Sequence, residues 1–146
     1  MGPILIRQLA VWKLLVVLAC AEVLGQGHAS RAQDAGMPRA EMRCERIDAP
    51  GRVRCEAEVR VVAGESIAMA DVIIIHTPPF VRALRGRIGP HDATTREAEV
   101  WRWALALAAR AKGSGDVEAR ARLVVCRKEG CEPREAPIVA HVVVGE

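Results

Sequence analysis

The sequence predicts an all-β fold, a two-layer sandwich of about seven strands, and three observations carry that expectation. Apolar and charged residues alternate strictly at 52–61 and again at 117–126, the signature of half-buried strands. Strand-like segments recur along 41–146 at intervals of about ten residues, with turn signals between them. The 146 residues allow one domain of ordinary size and little more.

The elements follow in chain order. Residues 1–13 carry Arg7 and Lys13 and no acid, and Leu14 to Ala19 is an unbroken apolar run continued by Cys20, Ala21, Val23 and Leu24. A positive start and a short apolar stretch are the pattern of a secretory signal peptide, too short to stay in a bilayer as a spanning helix. Two cleavage sites compete. Val17-Leu18-Ala19-Cys20 resembles a bacterial lipobox, with Leu18 an imperfect fit, which makes Cys20 a candidate for lipidation and residues 1–19 the signal. Ser30 and Ala32 supply small residues for ordinary cleavage after Ala32, giving a signal of 1–32. Residues 21–40 lack periodicity and read as a tether, with 33–40 as linker and 41–146 as the folded domain. Without Arg7 and Lys13 the charge falls from +3 to 19 basic against 18 acidic residues, or +1.

Strands are expected at 41–47, 52–61, 67–76, 80–88, 96–112, 117–126 and 131–144. Val72-Ile73-Ile74-Ile75 is a β-branched run without polar relief, which suggests a strand covered on both faces at the centre of the core. Segment 96–112 is ambiguous. Thr94 with Glu97 imitates a helix-capping box and Gly113 sits where a C-terminal cap would, yet Trp101, Trp103, Leu105 and Leu107 alternate as in a strand. Strand is favoured, with Gly113-Ser114-Gly115-Asp116 as a hairpin loop into the next one. The resulting pattern is that of an immunoglobulin-like sandwich.

Composition excludes nucleic acid as a partner. A charge of +3 leaves no polyanion footprint, and Trp12, Phe80, Trp101 and Trp103, with no tyrosine, cannot line a base-stacking groove.

With Cys20 set aside, four cysteines remain in two local pairs, and export permits disulfides. If Asp48-Ala49-Pro50-Gly51 is a hairpin loop, Ile47 faces Arg52 and Cys44 falls opposite Cys55. Cys126 and Cys131 flank another four-residue loop, Arg127-Lys128-Glu129-Gly130, and also face each other. Pairing within hairpins is the simplest of the three connectivities. Loop entropy makes Cys44–Cys55 worth about 3 kcal/mol and Cys126–Cys131 only about 2 kcal/mol. The weaker staple is the better redox candidate, because bridges in tight hairpins are easily strained and strain favours reduction. Arg127 and Lys128 favour a thiolate there, opposed by Glu129 and Glu132. The competing reading makes both bridges structural locks.

The run Leu123-Val124-Val125-Cys126-Arg127-Lys128-Glu129-Gly130-Cys131-Glu132-Pro133, on the last hairpin of an exported sandwich, resembles the N-terminal periplasmic domain of the thiol:disulfide interchange protein DsbD. The resemblance implies an immunoglobulin-like fold and a catalytic dithiol, Cys126 and Cys131, needing no cofactor. It would take electrons from a separately encoded membrane donor and pass them to periplasmic thioredoxin-like proteins through a mixed disulfide. Phe80 is the one phenyl group that could shield the pair, with an ordinary core position as its other reading. Cys44–Cys55 lies outside the motif and reads as structural. Leu123-Val124-Val125 stands where that family often has an aromatic residue, and the chain ends at Glu146 without the family's membrane and thioredoxin-like modules.

Other constellations point to no chemistry. His28, His76, His91 and His141 lack zinc-type spacing, so no metal site is expected. Glu56/Glu58 and Glu97/Glu99 read as outward strand faces, and Arg82, Arg85 and Arg87 as a charged edge strand that could meet acidic partners or lipid headgroups. Two functions therefore stand for a periplasmic or secreted protein, with Cys20 as its lipid anchor if lipidated. One is a thiol:disulfide exchange module acting through Cys126 and Cys131. The other is a non-enzymatic sandwich with two structural disulfides that binds another protein or supports an envelope assembly.

Overall fold

The structure is a computed structural model that describes residues 36–145. The signal, both cleavage sites and Cys20 lie outside the described residues. The described residues form nine strands: β1 (Arg39–Cys44), β2 (Arg52–Arg60), β3 (Ser66–His76), β4 (Val81–Ala83), β5 (Arg87–Ile88), β6 (Ala93–Arg96), β7 (Val100–Ala109), β8 (Gly113–Arg127) and β9 (Gly130–Val144). A 3₁₀ turn, Pro90–Asp92, precedes β6. One sheet runs β1-β2-β7-β4 with β6 also paired to β7, and the other runs β5-β3-β8-β9. Face to face they make the expected immunoglobulin-like sandwich.

Alternation dictates which residues enter the core. On β2, Val53, Cys55, Ala57 and Val59 are buried while the arginines and glutamates between them face outward. On β8 and β9, Val117 through Val125 and Ala136 through Val142 do the same at every second position. β8 and β9 are paired over their whole length, from Gly113↔Val144 to Arg127↔Gly130. Trp103 on β7 is fully buried, and its row across the sheet holds Ala57 on β2 and Ala93 on β6, small neighbours that leave room for an indole.

Several expectations need correction. Segment 96–112 holds the favoured strand, β7, but only over Val100–Ala109, and the imitated capping box dissolves because Thr94 and Glu97 belong to a hairpin, with Thr94 Oγ1 donating to the Arg102 carbonyl at 3.2 Å and Glu97 N–H to the Val100 carbonyl at 2.9 Å. Gly113–Asp116 is not a hairpin loop: β7 and β8 lie in different sheets, and these residues begin β8. Segment 80–88 splits into β4 and β5, one in each sheet, and β6 was not foreseen. Val72–Ile75 is not covered on both faces. Val72 points inward, but Ile73 is half-buried and Ile75 is 55% exposed, because nothing in the described residues forms a third layer over this sheet.

The glycines at the start of β8 have a packing reason. A Cβ on Gly113 would meet the Phe80 ring at 2.8, 3.0 and 3.1 Å, so the ring occupies the space a side chain would need. Gly113→Ala is expected to destabilise by about 1–3 kcal/mol through overpacking. Gly86→Ala, where a Cβ meets nothing within 4 Å, is expected to stay within about 0.5 kcal/mol. Urea unfolding of the two variants checks the contrast.

Candidate functional site

Both disulfides form as the hairpin registers require. Cys44 pairs with Cys55 and Cys126 with Cys131, each across directly opposed positions with Cα atoms 4.0 and 3.9 Å apart. The loops differ from expectation. Ile47 does not face Arg52; it crosses to the other sheet, where its N–H donates to the Val143 carbonyl at 3.3 Å and its carbonyl accepts from Gly145 N–H at 2.7 Å. The second hairpin turns in two residues, Lys128-Glu129, not four, because Arg127 and Gly130 pair and Gly130 takes φ +149°.

Their surroundings separate the two bridges. Cys55 is buried among Val53, Ala57 and Val59 with Cys44 packed beside it, so that bridge belongs to the core. Cys126–Cys131 lies on the outer face of its sheet, with Cys131 exposed at the hairpin tip. The tip is held from the side. Glu65, 5% exposed, accepts from Arg127 Nε at 2.6 Å and pairs with Arg134 at 3.3 Å, while Arg134 also donates to the Gly36 carbonyl at 2.6 Å and to Glu132 at 2.9 Å. The hydrogen bond from Arg134 draws the Glu132 carboxyl below its ordinary range, and the one that Arg127 donates to Glu65 raises Arg127. The cationic neighbours expected to favour a thiolate are thus not both available: Arg127 is engaged by Glu65.

Phe80 does not shield this pair. Its ring lies against Gly113, 13 positions before Cys126 on the same strand, which at about 3.3 Å per residue is on the order of 40 Å away. It packs against the core, its other reading.

A second buried carboxylate organises the middle of the same face. Asp71, 2% exposed, receives Arg122 Nε at 3.0 Å and Arg87 Nε at 2.7 Å. The arginine cluster read from the sequence therefore comes apart: Arg87 serves Asp71, Arg85 makes a two-pronged pair with Asp92 at 2.8 Å, and Arg82 stands on β4 in the other sheet. Of the acidic pairs, Glu58 is bound by Arg102 at 2.6 Å and Arg60 at 2.9 Å.

One arrangement escaped the sequence. His141 Nε2 lies 2.9 Å from Ser114 Oγ, and His141 Nδ1 lies 2.6 Å from Asp116 Oδ1. This is the hydrogen-bond order of a nucleophilic triad, and the only signal for it is the Asp116↔His141 register, which needs the strand pairing to be known. Hydrolysis also needs oxyanion donors in a water-excluded site. His141 and Asp116 have side chains 59% and 58% exposed on an open strand face, so the trio fastens the end of the β8–β9 ladder. Among the described residues no group of three or more His, Cys, Asp or Glu could hold a metal ion.

A cleft lies on the other sheet. β4 pairs with β7 at Leu107–Ala109 and β6 pairs with it at Trp101–Trp103, so between them no strand covers Ala104 and Leu105. The gap opens into a cleft of about 550 Å³ with Arg52 and Arg54 on one wall, Leu84 and Arg85 on the other, and Ile88 and Leu105 at its floor.

No family model and no curated protein matches the chain. Similar solved structures include PapD-like domain 7 of human CEP192 at 5% identity, covering 87% of this chain and 96% of that one with a TM-score of 0.41. BslA, a bacterial hydrophobin, is 9% identical, covers 75% and 95%, and scores 0.39. MyfA, the major subunit of Myf fimbriae from Yersinia enterocolitica, is 14% identical, covers 74% and 99%, and scores 0.37. The resemblance to the DsbD N-terminal domain is overturned: no family model supports it, and none of these structures is a DsbD.

Acid sensitivity follows from Asp71. The hydrogen bond from Arg122, opposed by burial and reinforced by Arg87, holds its carboxyl below the ordinary 3.8. A carboxyl depressed in the fold contributes stability above its unfolded pKa and loses it as pH falls through the folded value. Asp71→Asn is expected to unfold at lower urea than the parent at pH 7, with the difference shrinking as pH drops from about 4 towards 2. Urea midpoints across that range check the sign.

Proposed function

We propose that the chain is an exported, non-enzymatic β-sandwich that works as a binding or envelope-assembly module, with both disulfides as structural locks. The observation that carries this reading is the setting of Cys126–Cys131. The bridge joins two strands already laddered over their full length, at a tip that Glu65, Arg127 and Arg134 clamp to the start of β3. Thiol exchange requires a partner's sulfur to approach in line and the freed cysteines to separate. Here the neighbouring contacts hold the two strands together whether or not the sulfurs are joined. The core position of Cys44–Cys55 gives the same role to the first pair.

Export is supported by the positive, then apolar, start of the sequence and by two disulfides, which persist in oxidising compartments. Among the described residues no helix is long and apolar enough to cross a membrane.

The reading is tested by equilibrating the protein in thiol buffers and alkylating the cysteines freed. Both bridges are expected to stay oxidised down to potentials below about −300 mV, the range of inert structural bridges. Cys126→Ala and Cys131→Ala are expected to trap no mixed disulfide in cells. Reduction of Cys126–Cys131 near −200 mV, in the range of exchange catalysts, together with a trapped partner, would falsify the proposal.

A further inference from the structure

We infer that the cleft between β4 and β6 is a docking site for a short, extended acidic segment of a partner polypeptide. Three independent features of the cleft converge on that chemistry. The first is charge. Arg52 and Arg54 project from the outer face of β2, and neither makes an ion pair among the described residues, although 11 such pairs engage arginines and a histidine elsewhere. Arg85 on the opposite wall is already paired with Asp92 and does not compete for a ligand's carboxylate. A planar guanidinium binds a carboxylate with two parallel hydrogen bonds, so the two unengaged arginines, two residues apart on one strand face, match carboxylates at alternate positions of an extended chain.

The second feature is the floor. Leu105 is half-buried and, paired with Cys55, faces inward through the gap, while Leu84 on the wall is 48% exposed. On β7 the residues facing Arg54 and Glu56 are Ala106 and Ala104, whose small side chains leave the arginines an unobstructed reach across β7 to a chain at its edge. In an extended chain the side chain between two acidic ones points to the opposite face, here inward through the gap towards Leu105.

The third feature is the backbone. Ala106 uses its carbonyl for Leu84 N–H at 3.3 Å, so the main-chain groups of the even-numbered residues of β7 point towards the gap. Ala104 is exposed and lies between the last β4 pairing and the first β6 pairing. A peptide lying there can hydrogen-bond to it as a short added strand. An anionic lipid or a sulfated glycan would use the arginines but neither the floor's alternating spacing nor the Ala104 main chain, which is why a polypeptide is preferred.

The inference rests on the binding-module reading for the existence of a partner, and its test is separate from the thiol measurements. A fluorescein-tagged hexapeptide alternating glutamate and leucine is titrated into the protein and followed by anisotropy, with amide resonances recorded in parallel. Expected are saturable binding that weakens with salt, shifts centred on Ala104–Ala106, and a loss of affinity of about tenfold or more in the Arg52→Glu/Arg54→Glu double variant. Arg120→Glu, on the outer face of the other sheet, should bind as the parent does. Binding unchanged by the double reversal, shifts mapping elsewhere, or no saturation by about 1 mM peptide overturns the inference. So does binding of phosphatidylglycerol vesicles or heparin through these arginines without binding of the peptide. Inert disulfides with no peptide binding would sink the cleft and leave the module reading standing.

Discussion

Trp103 is the interaction on which the rest of this structure depends. Apart from Trp101, Met42 and Cys55, the rest of the buried core is valine, alanine, isoleucine and leucine, side chains too small to hold two sheets apart and fill the space between them alone. One fully buried indole supplies the bulk, and its Nε1–H donates to the Gly89 carbonyl at 3.0 Å, satisfying the one polar group it brings inside. That bond ties β7 in one sheet to the segment that follows β5 in the other. Gly89 in turn receives the Asp92 carboxylate on its N–H at 2.9 Å, and Asp92 holds Arg85. The chain between β4 and β6, which forms one wall of the cleft, is therefore anchored from within the core.

The other sheet is governed by charge. Asp71 and Glu65, the two buried acids, each receive two arginines from neighbouring segments. Removing a carboxylate from water costs several kcal/mol unless its partners are well placed, and of the arginines that compensate, Arg87, Arg122 and Arg127 are only half covered while Arg134 is largely buried. The outcome is a sheet whose outer surface is closed by its own ion pairs. Its long edge strand is protected as well: Pro133 and Pro137 remove two donors from β9, and Ile47 covers the end near Val143. An almost neutral domain thus has one sheet with its arginines engaged and another on which Arg52 and Arg54 are not.

How much of this could be read from the sequence follows from how local each signal is. Alternation at 52–61 and 117–126 survived because one face is buried and the other solvated, the condition under which a period of two is informative. The cysteine pairings survived for a related reason, since counting back from a hairpin fixes the register even when the loop length is misjudged, as it was in both hairpins. The failures need knowledge from another part of the chain. Val72–Ile75 is apolar on both faces, and only the number of layers says that Ile75 meets water. Gly113 and Gly115 resemble a turn, but Phe80, more than thirty positions away, fills the space a side chain at Gly113 would need, and Pro78 crowds Gly115. Ser114, Asp116 and His141 come together only through the β8–β9 register. Arg52 and Arg54 were visible as an outward face, whereas the gap that makes them a wall arises because segment 80–88 divides between two sheets.

That division has a functional consequence for where recognition can occur on a sandwich. A sheet face presents side chains at fixed spacing but has its backbone groups consumed by the ladder, so it offers charge and shape without main-chain pairing. A free edge offers main-chain pairing but risks uncontrolled association. The interruption between β4 and β6 gives both on a small scale: a short stretch of β7 paired with β2 on one edge and open on the other, bounded by strands at each end that limit how far any added chain can extend. The placement of the two disulfides suits this arrangement. Cys126–Cys131 stiffens the far tip of β8–β9 and Cys44–Cys55 locks β2 to its hairpin partner, and β2 is the strand that carries Arg52 and Arg54. The bridge nearest the cleft is thus the buried one, where its effect is to hold a binding wall in place without being exposed to exchange.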